Sequence, residues 1–415
     1  MHLARLPIVV FTLTSGVLAS ETPPTPLAGL IAEAQNNSPE MRAAERGWKA
    51  ATHVVPQVTS LPDPQFTVQQ FSVGSPKPFA GFSNSDFAYI GFGASQALPY
   101  PGKLRLKGQV AAREADARHA QADELRLSIA QQVKTAYFNL AYLQSTLLAF
   151  ERSGATLEQL ADTELSRYRT GGGSQAEVLK AQLEHTKVVH EITMHHARMA
   201  QLEADLKLLL DRPQDSPDIV AENVPPAILG YSAHELLALV EGHNPAVASD
   251  RAVLEKHHAA LQSAERGKKP DFGVGYMFQE TGSSYRDYYM LTFNVNLPRR
   301  RRVDAEIAEA AEMLGQSEQS LDAQVQRQLS EVQKEYITAT SSAELLTEYR
   351  DGLIPQAQAV FRANLAAYQS NTGELNAALL SLNDVLTLER DSAQALLDHE
   401  VAIAHLENLT GETLR

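Results

Sequence analysis

The side chains best suited to hold a metal ion share one short stretch, where His185, His190, His195 and His196 follow one another closely. Their spacing defeats chelation. On a helix, a separation of five turns neighbouring rings about 140° apart, and His185 and His196 stand about 16 Å apart along the axis. No pair falls at i, i+4, the separation that aims two rings at one zinc ion. His190-Glu191 begins like the zinc-protease motif H-E-x-x-H, but the next ring comes at His195, one residue too far. Gly171-Gly172-Gly173 lacks the Lys and Ser/Thr of a phosphate-binding loop and follows no strand, so it reads as a turn. No G-x-S-x-G elbow or paired-carboxylate arrangement can be defended from spacing. With no cysteine in the chain, thiolate metal sites, cysteine nucleophiles, disulfides and a lipidated cysteine anchor are all excluded. The expectation is a protein that is not an enzyme and carries no cofactor and no resident metal.

Composition narrows the class further. The 415 residues are 44% apolar and 21% charged, a folded composition long enough for more than one domain. Lys and Arg total 36 against 50 Asp and Glu, a net charge of −14, which argues against a nucleic-acid partner. Near the start, Arg5 precedes the apolar run Ile8–Ala19, and Val17-Leu18-Ala19 fits a cleavage site, so residues 1–19 read as an export signal and the mature chain as beginning at Ser20. No later apolar run reaches the about 18 residues of a membrane-spanning helix. An exported chain of this kind is either soluble outside the cytoplasm or a β-barrel.

The elements that must position any site are duplicated. Ser38-Pro39 recurs as Asn244-Pro245, and Pro64, Phe66 and Val68 recur as Pro270, Phe272 and Val274, about 206 positions on. Leu98-Pro99 matches Leu297-Pro298, Val133 and Tyr137 match Val332 and Tyr336, and Tyr168…Gly173 matches Tyr368…Gly373, about 200 positions on. The first repeat occupies 20–211, a linker 212–231 and the second repeat 232–415. Each reads helix, two strands, very long helix, second helix. The segments are Leu27–Ser60, Gln65–Val73, Phe87–Ala97, Gly102–Tyr168 and Ser174–Leu210, then Ser232–Lys268, Asp271–Gln279, Asp287–Leu297, Arg299–Tyr368 and Glu374–Leu409. Leu125, Ile129, Val133, Ala136, Leu140, Leu143 and Leu147 keep the threes and fours of a coiled-coil seam, as do Leu321, Val325, Leu329, Val332, Tyr336, Ala339 and Ala343. A helix of about 67 residues spans roughly 100 Å, and its shorter neighbours roughly half that, so two short helices end to end match one long one. The result is a tall helical cylinder with strands at one end and the Tyr168–Ser174 and Tyr368–Glu374 turns at the other. Ser153-Gly154 and Gly352…Pro355 interrupt the long helices at matching places, which favours a shared kink over a turn.

The strands alternate. Ile90 and Phe92 in the first repeat, and Phe272, Val274, Tyr276, Phe278, Leu291, Phe293 and Val295 in the second, fall on one apolar face, the face expected against lipid. Basic residues follow the strands as a collar at the membrane interface: Lys103, Arg105 and Lys107 in one repeat, Arg299, Arg300, Arg301 and Arg302 in the other. Four strands in lipid leave two unpaired edges, so several chains must share the barrel. Two copies give eight strands around a filled interior, and three give twelve with appreciable space. The expectation is a homotrimer. A soluble sheet covering the bundle is the competing arrangement.

With this plan in view, the chain resembles the TolC-like outer-membrane factor family of export channels over nearly its whole mature length. Gln96-Ala97-Leu98-Pro99-Tyr100-Pro101-Gly102-Lys103-Leu104 is similar to the strand-to-helix junction of the cation-efflux, CzcC-like branch. Tyr168-Arg169-Thr170-Gly171…Glu177-Val178-Leu179…Ala181-Gln182 resembles the family's tip motif. The second copy departs from it, with Asn371 in place of the usual Gly and Ala377 and Leu380 where acids often sit. The resemblance implies a mainly α fold with a small transmembrane β part: a twelve-strand outer-membrane barrel over a twelve-helix periplasmic tunnel. It implies that Glu177, Arg167, Arg169, Tyr168, Tyr368 and Glu374 gate a tip that opens when a periplasmic adaptor and an inner-membrane pump dock. The expected function is a passive duct in the bacterial outer membrane. The junction tilts its cargo toward heavy-metal cations driven by a resistance-nodulation-division pump, with drug efflux and type I protein secretion left open. The alternatives are a periplasmic coiled-coil adaptor that never enters lipid and, more remotely, a secreted hydrolase.

Overall fold

Residues 24–71, 88–222, 225–281 and 287–414, described by a computed structural model, form two copies of one succession of elements. The first runs α1 (Leu27–Asn37), α2 (Pro39–Thr52), α3 (Val54–Thr59), β1 (Gln65–Phe71), β2 (Tyr89–Leu98), α4 (Lys103–Arg169) and α5 (Gln175–Leu209). The second runs α6 (Ala233–His243), α7 (Pro245–Arg266), β3 (Asp271–Thr281), β4 (Tyr288–Asn296), α8 (Arg300–Glu348), α9 (Ile354–Gln369) and α10 (Leu375–Thr410), with a π-helical turn, Tyr349–Leu353, between α8 and α9. The export signal expected over residues 1–19, and the strand ends expected at Val73 and Phe87, lie outside the described residues. Among the described residues, no helix is long and apolar enough to cross a membrane.

The first helical segment of each repeat is broken where periodicity predicts one continuous helix. A residue before proline is pushed out of helical geometry by the proline ring. Ser38 and Asn244 accordingly take ψ values of 122° and 119°, and each caps the helix that follows. Met41 N donates to the Ser38 hydroxyl at 3.2 Å and Val247 N to Asn244 Oδ1 at 2.9 Å, while Pro39 and Pro245 sit where a missing N–H costs nothing. A further break at His53 separates α2 from α3.

The long helices differ at the place where a shared kink is expected. In the first repeat, α4 runs unbroken for 67 residues, about 100 Å. Its Ser153 and Gly154 are buried, with Gly154 packed toward Val188 and Ile192 of α5. The small side chains there serve close helix approach, and the helix stays intact. In the second repeat the π turn immediately precedes Ile354-Pro355. A proline ring collides with the carbonyl four residues back, and the wider turn accommodates it.

All four strands form one antiparallel sheet in the order β1-β2-β3-β4, so the two repeats join through the β2–β3 pairing. Register aligns Val68, Phe92, Phe278 and Tyr289 in one row and Phe66, Ala94, Tyr276 and Leu291 in the next. Leu98, Phe272 and Val295 form a further row on the same face, with Val274 beside Phe293 between. The opposite face carries Gln65, Ser95, Gly275 and Thr292, then Thr67, Gly93, Met277 and Met290. One face is therefore apolar and aromatic, the other small and mostly polar, and no helix covers the apolar one: Phe66, Val68, Phe92, Phe293 and Leu297 are exposed, Leu297 to 78%.

Helices α5, α7 and α10 all pack on α4, and α10 also packs on α8 and α9, so the helices make a continuous layer. Apolar burial is concentrated in three clusters, centred on Tyr137 and Leu206, on Leu157 and Leu379, and on Val332 and Ile403. Polar ties reinforce the middle. Arg212 forks onto Glu33 with two bonds of 2.6 Å, which holds the Glu33 carboxyl below its ordinary pKa, and Lys134 pairs with buried Glu407. The fully buried Tyr137 hydroxyl donates to Thr25 O at 3.0 Å and accepts from Glu222 N at 2.7 Å, fastening both flanking segments to α4. Tyr137→Phe takes this partner from a half-buried carbonyl and a half-buried N–H. It is expected to lower stability by about 1–3 kcal/mol, read as a shift of the unfolding midpoint at constant denaturant slope.

Candidate functional site

At the end of the helices away from the sheet, two hairpin turns lie side by side: Thr170–Ser174 between α4 and α5, and Ser370–Glu374 between α9 and α10. Each closes with a left-handed residue, Gly171 at φ 78° and Asn371 at φ 57°. Asparagine tolerates that region, so the second turn keeps the shape of the first despite losing the glycine. Gly172 N donates to Arg167 O at 2.8 Å and Thr372 N to Ala367 O at 2.9 Å, the same closing bond in both. Gly373 is required by contact: a Cβ there would lie 2.9 Å from the Ala367 Cβ.

Past the turns the repeats diverge. Ser174 and Glu177 form a reciprocal capping box on α5, with Ser174 N donating to Glu177 Oε2 at 2.9 Å and Glu177 N to the Ser174 hydroxyl at 3.2 Å. The backbone N–H and hydroxyl of Ser174, in that order, lower the Glu177 pKa. In the second repeat, Glu374 caps α10 without a side-chain bond and Ala377 stands where the glutamate would be.

Between the turns lies a polar knot that joins the repeats. Glu164, fully buried on α4, accepts from the Tyr368 hydroxyl of α9 and, through the same Oε1, from Arg167 Nη1 at 3.2 Å. The Arg167 guanidinium lies 5.3 Å from the centroid of the Tyr368 ring, near enough for a cation–π contact. Tyr368 is 3% exposed and sits among Leu157, Leu160, Leu375 and Leu379. Burial first, and then donation to Glu164, raises its pKa from the ordinary 10 to about 12. The second Glu164 oxygen is buried with no hydrogen-bond partner among the described residues.

Of the residues marked as gating from the sequence, Arg167 and Tyr368 are thus brought together and Glu177 belongs to a cap. Tyr168, 47% exposed, and the exposed Arg169 and Glu374 lie outside the knot. Glu164 was missed. Its signal is its place in the seam: Leu157 and Leu160 lead to position 164, where an apolar residue belongs and a carboxylate stands three residues before Arg167. The chain's own repeat exposes an asymmetry as well. At an offset of 200, Glu164 corresponds to Asn364, Arg167 to Ala367 and Tyr368 to Tyr168, so only one of the two tips carries the acid and the base.

At the other end, Ile90, Phe92, Phe272, Val274, Tyr276, Phe278, Leu291, Phe293 and Val295 all share the uncovered sheet face, with Ile90, Val274 and Phe278 half-buried by their neighbours. In the basic collar, Lys103 pairs with Asp271 at 2.8 Å and Arg302 with Glu306 at 2.7 Å; Arg105, Lys107, Arg299, Arg300 and Arg301 are exposed. The histidines stay apart. His195 is buried with Nδ1 2.8 Å from Glu191 O, His190 and His196 are exposed, and no group of three His, Cys, Asp or Glu able to hold a metal ion occurs among the described residues.

A layer of long helices joined to a four-stranded sheet with one apolar face is the fold of solved outer-membrane channels. CusC, a transmembrane-channel-forming protein, matches with a TM-score of 0.79 at 16% identity over 93% of this chain and 92% of its own. The outer membrane protein VceC of Vibrio cholerae matches at 0.79 and 16% identity over 94% and 97%, and the MtrE outer membrane channel of Neisseria gonorrhoeae at 0.74 and 17% over 94% and 89%. At these identities the likeness is one of fold. In sequence, residues 30–211 match the outer membrane efflux protein family, a stretch that takes in the first repeat up to the end of α5. No curated protein matches the chain in sequence.

Removing the Tyr368 hydroxyl tests the knot. Tyr368→Phe strips buried Glu164 of a charged hydrogen bond and is expected to cost about 1.5–3 kcal/mol. A raised tyrosine pKa means that the folded state favours the neutral phenol. The stability it contributes is therefore full below pH 10 and is lost as pH rises from 10 through about 12. Alkaline spectrophotometric titration of the native chain should show a late-ionising tyrosine fraction, to which buried Tyr137 and half-buried Tyr142 also contribute, that is smaller by one residue in the Tyr368→Phe protein.

Proposed function

We propose that the whole chain belongs to the outer membrane efflux protein family and acts as the passive outer-membrane duct of a tripartite efflux system. Three copies close a twelve-strand barrel in the outer membrane, and their helices extend into the periplasm as a tunnel. The tunnel tip meets a periplasmic adaptor and an inner-membrane pump that supplies the energy. One observation carries this reading: a four-stranded sheet whose apolar face is covered by no helix, and whose outer strands, β1 and β4, have no further neighbour, among the described residues. Lipid accounts for the face, and further copies account for the edges. Two copies would fill the barrel with side chains; three leave a passage.

At the tip, the Glu164–Arg167–Tyr368 knot holds neighbouring helical hairpins of one chain together. Tyr168, Arg169 and Glu374 take the corresponding place between copies. Closing the passage is the work of both contacts, and docking of the adaptor releases them. The finer assignment, heavy-metal cations moved by a resistance-nodulation-division pump, rests on the Gln96–Leu104 junction. In this reading cargo is chosen by the pump, which supplies the energy.

Fractionation is the first test. The mature chain should leave the outer membrane only with detergent and crosslink to a trimer; a freely soluble chain, or one that stops at dimer, overturns the reading and favours the periplasmic adaptor. In planar bilayers, Tyr368→Phe should shift the tip toward open by roughly tenfold or more, because the lost bond is worth about 1.5 kcal/mol or above. Mean conductance equal to that of the unmodified channel would remove the knot from the gate. For cargo, deletion of the gene should sensitise the bacterium to divalent metal salts before it sensitises it to dyes or detergents.

A further inference from the structure

The uncovered apolar face ends at Leu98, Phe272, Val295 and Leu297. Register places the last residues of β2 and β4 beside the first residues of β3, so both strand-to-helix junctions leave the sheet at the same rim. There the cations gather. Arg105 and Lys107 lie exposed in the first turns of α4, and Arg299, Arg300 and Arg301 at the start of α8. Asp271 holds Lys103 and Glu306 holds Arg302, and neither helix has an acid in its first turn. Lys107 lies near enough to Asp271 to be drawn to its charge and the exposed Asp304 follows the arginine run, yet cations still outnumber acids along this rim.

An excess of cations over acids here, on a chain whose net charge is −14, is a local reversal of sign, bordering a band of exposed Leu, Val and Phe. Water satisfies the charges and hydrocarbon the band, and the headgroup layer of a bilayer meets both side by side. Neutral headgroups would leave the charge excess unmatched, whereas an anionic phosphodiester matches it, and three successive guanidinium forks suit phosphate oxygens. We propose that this rim is a docking surface for anionic phospholipid, which fixes the depth of the sheet in the membrane leaflet on the helix side. The proposal rests on the membrane-channel reading above.

The test uses the full chain in vesicles of phosphatidylcholine alone and in vesicles of equal parts phosphatidylcholine and phosphatidylglycerol. Insertion is scored first, by resistance to alkaline extraction from phosphatidylcholine; lipid choice is then scored by native mass spectrometry of lipids retained from the mixed vesicles. Retention of phosphatidylglycerol over phosphatidylcholine by roughly tenfold is expected, since each cation near an anionic surface is worth several-fold. R299Q/R300Q/R301Q should bring that ratio close to one, and R105Q/K107Q should lower it by several-fold, which keeps the test valid if the triple variant fails to insert. A charge-matched control away from the rim, R350Q/R362Q/R390Q, should leave it unchanged. A chain that inserts but retains both lipids equally, or whose preference survives both rim variants, overturns the docking surface and leaves the channel reading intact. Failure of the unmodified chain to insert overturns both.

Discussion

Unpaired main-chain groups along the outer edges of β1 and β4 are the constraint from which the rest of the architecture follows. Each chain pairs its strands as far as β1-β2-β3-β4 and stops, with an aromatic face left bare. In water such an edge invites uncontrolled strand addition, and in hydrocarbon it leaves polar groups without partners. Closure with further copies answers both problems at once. The internal duplication makes closure simple: β2 and β3, from different repeats, already pair antiparallel, and β4 meeting β1 of another copy would repeat that geometry. The small face of the sheet, with Gly91, Gly93, Gly273 and Gly275 among its residues, lets the strands curve. A Cβ at Gly93 would already sit 3.1 Å from Met277 Cε and the Tyr276 carbonyl oxygen.

Duplication sets the frame, and divergence within it sets the chemistry. Both tips keep the tyrosine, the left-handed turn residue and the glycine that lets the turn fold back on the helix. Only the first repeat keeps a carboxylate, Glu164, and the base beside it. Burying that carboxylate with one oxygen unpartnered is costly, and a hydrophobic residue at the same seam position would pack at less cost. What a buried acid adds is direction: Tyr368 must point its hydroxyl at one oxygen, which fixes how one hairpin sits against the next. Where Asn364 and Ala367 replace the acid and base, no buried carboxylate sets that direction. A ring built from alternating tips of the two kinds would have joints of two different chemistries in turn.

Features that depend on period or on a backbone rule were legible in the sequence. Alternation of Phe272, Val274, Tyr276 and Phe278 identified a strand with one apolar face, and threes and fours identified the long helices. The breaks at Ser38 and Asn244 were visible as repeated Pro motifs but were overridden by the longer apolar period, although a proline's effect on the residue before it is the stronger local force. Ser153-Gly154 and Gly352…Pro355 looked equivalent because both contain helix breakers. They differ because glycine is only permissive, and a buried glycine packed against α5 stays helical, whereas proline imposes its geometry. Glu164 escaped because its meaning depends on Tyr368, 204 residues away, and no local pattern reports that contact.

Where the structure yields follows from where its ties are dense. Around the middle, Tyr137, the Glu33–Arg212 fork, the Lys134–Glu407 pair and His399, whose ring nitrogens lie 2.8 Å from the carbonyls of Ala339 and Ala227, bind helices from both repeats to the segments that follow them. Each is buried or half-buried, and breaking any one strands a polar group away from water. Toward the tip the apolar cluster continues to Leu157 and Leu379, and the polar ties between the repeats among the described residues are the exposed Arg152–Glu389 pair, the knot on Glu164 and the Lys180–Asn376 contact at the surface. Local opening free energies track such ties. The π turn at Tyr349–Leu353 lies between these two regions and interrupts the regular helical ladder of one repeat only. The first repeat therefore offers a continuous helical connection from the sheet to its turn through α4, whereas in the second repeat that connection passes through the widened turn between α8 and α9.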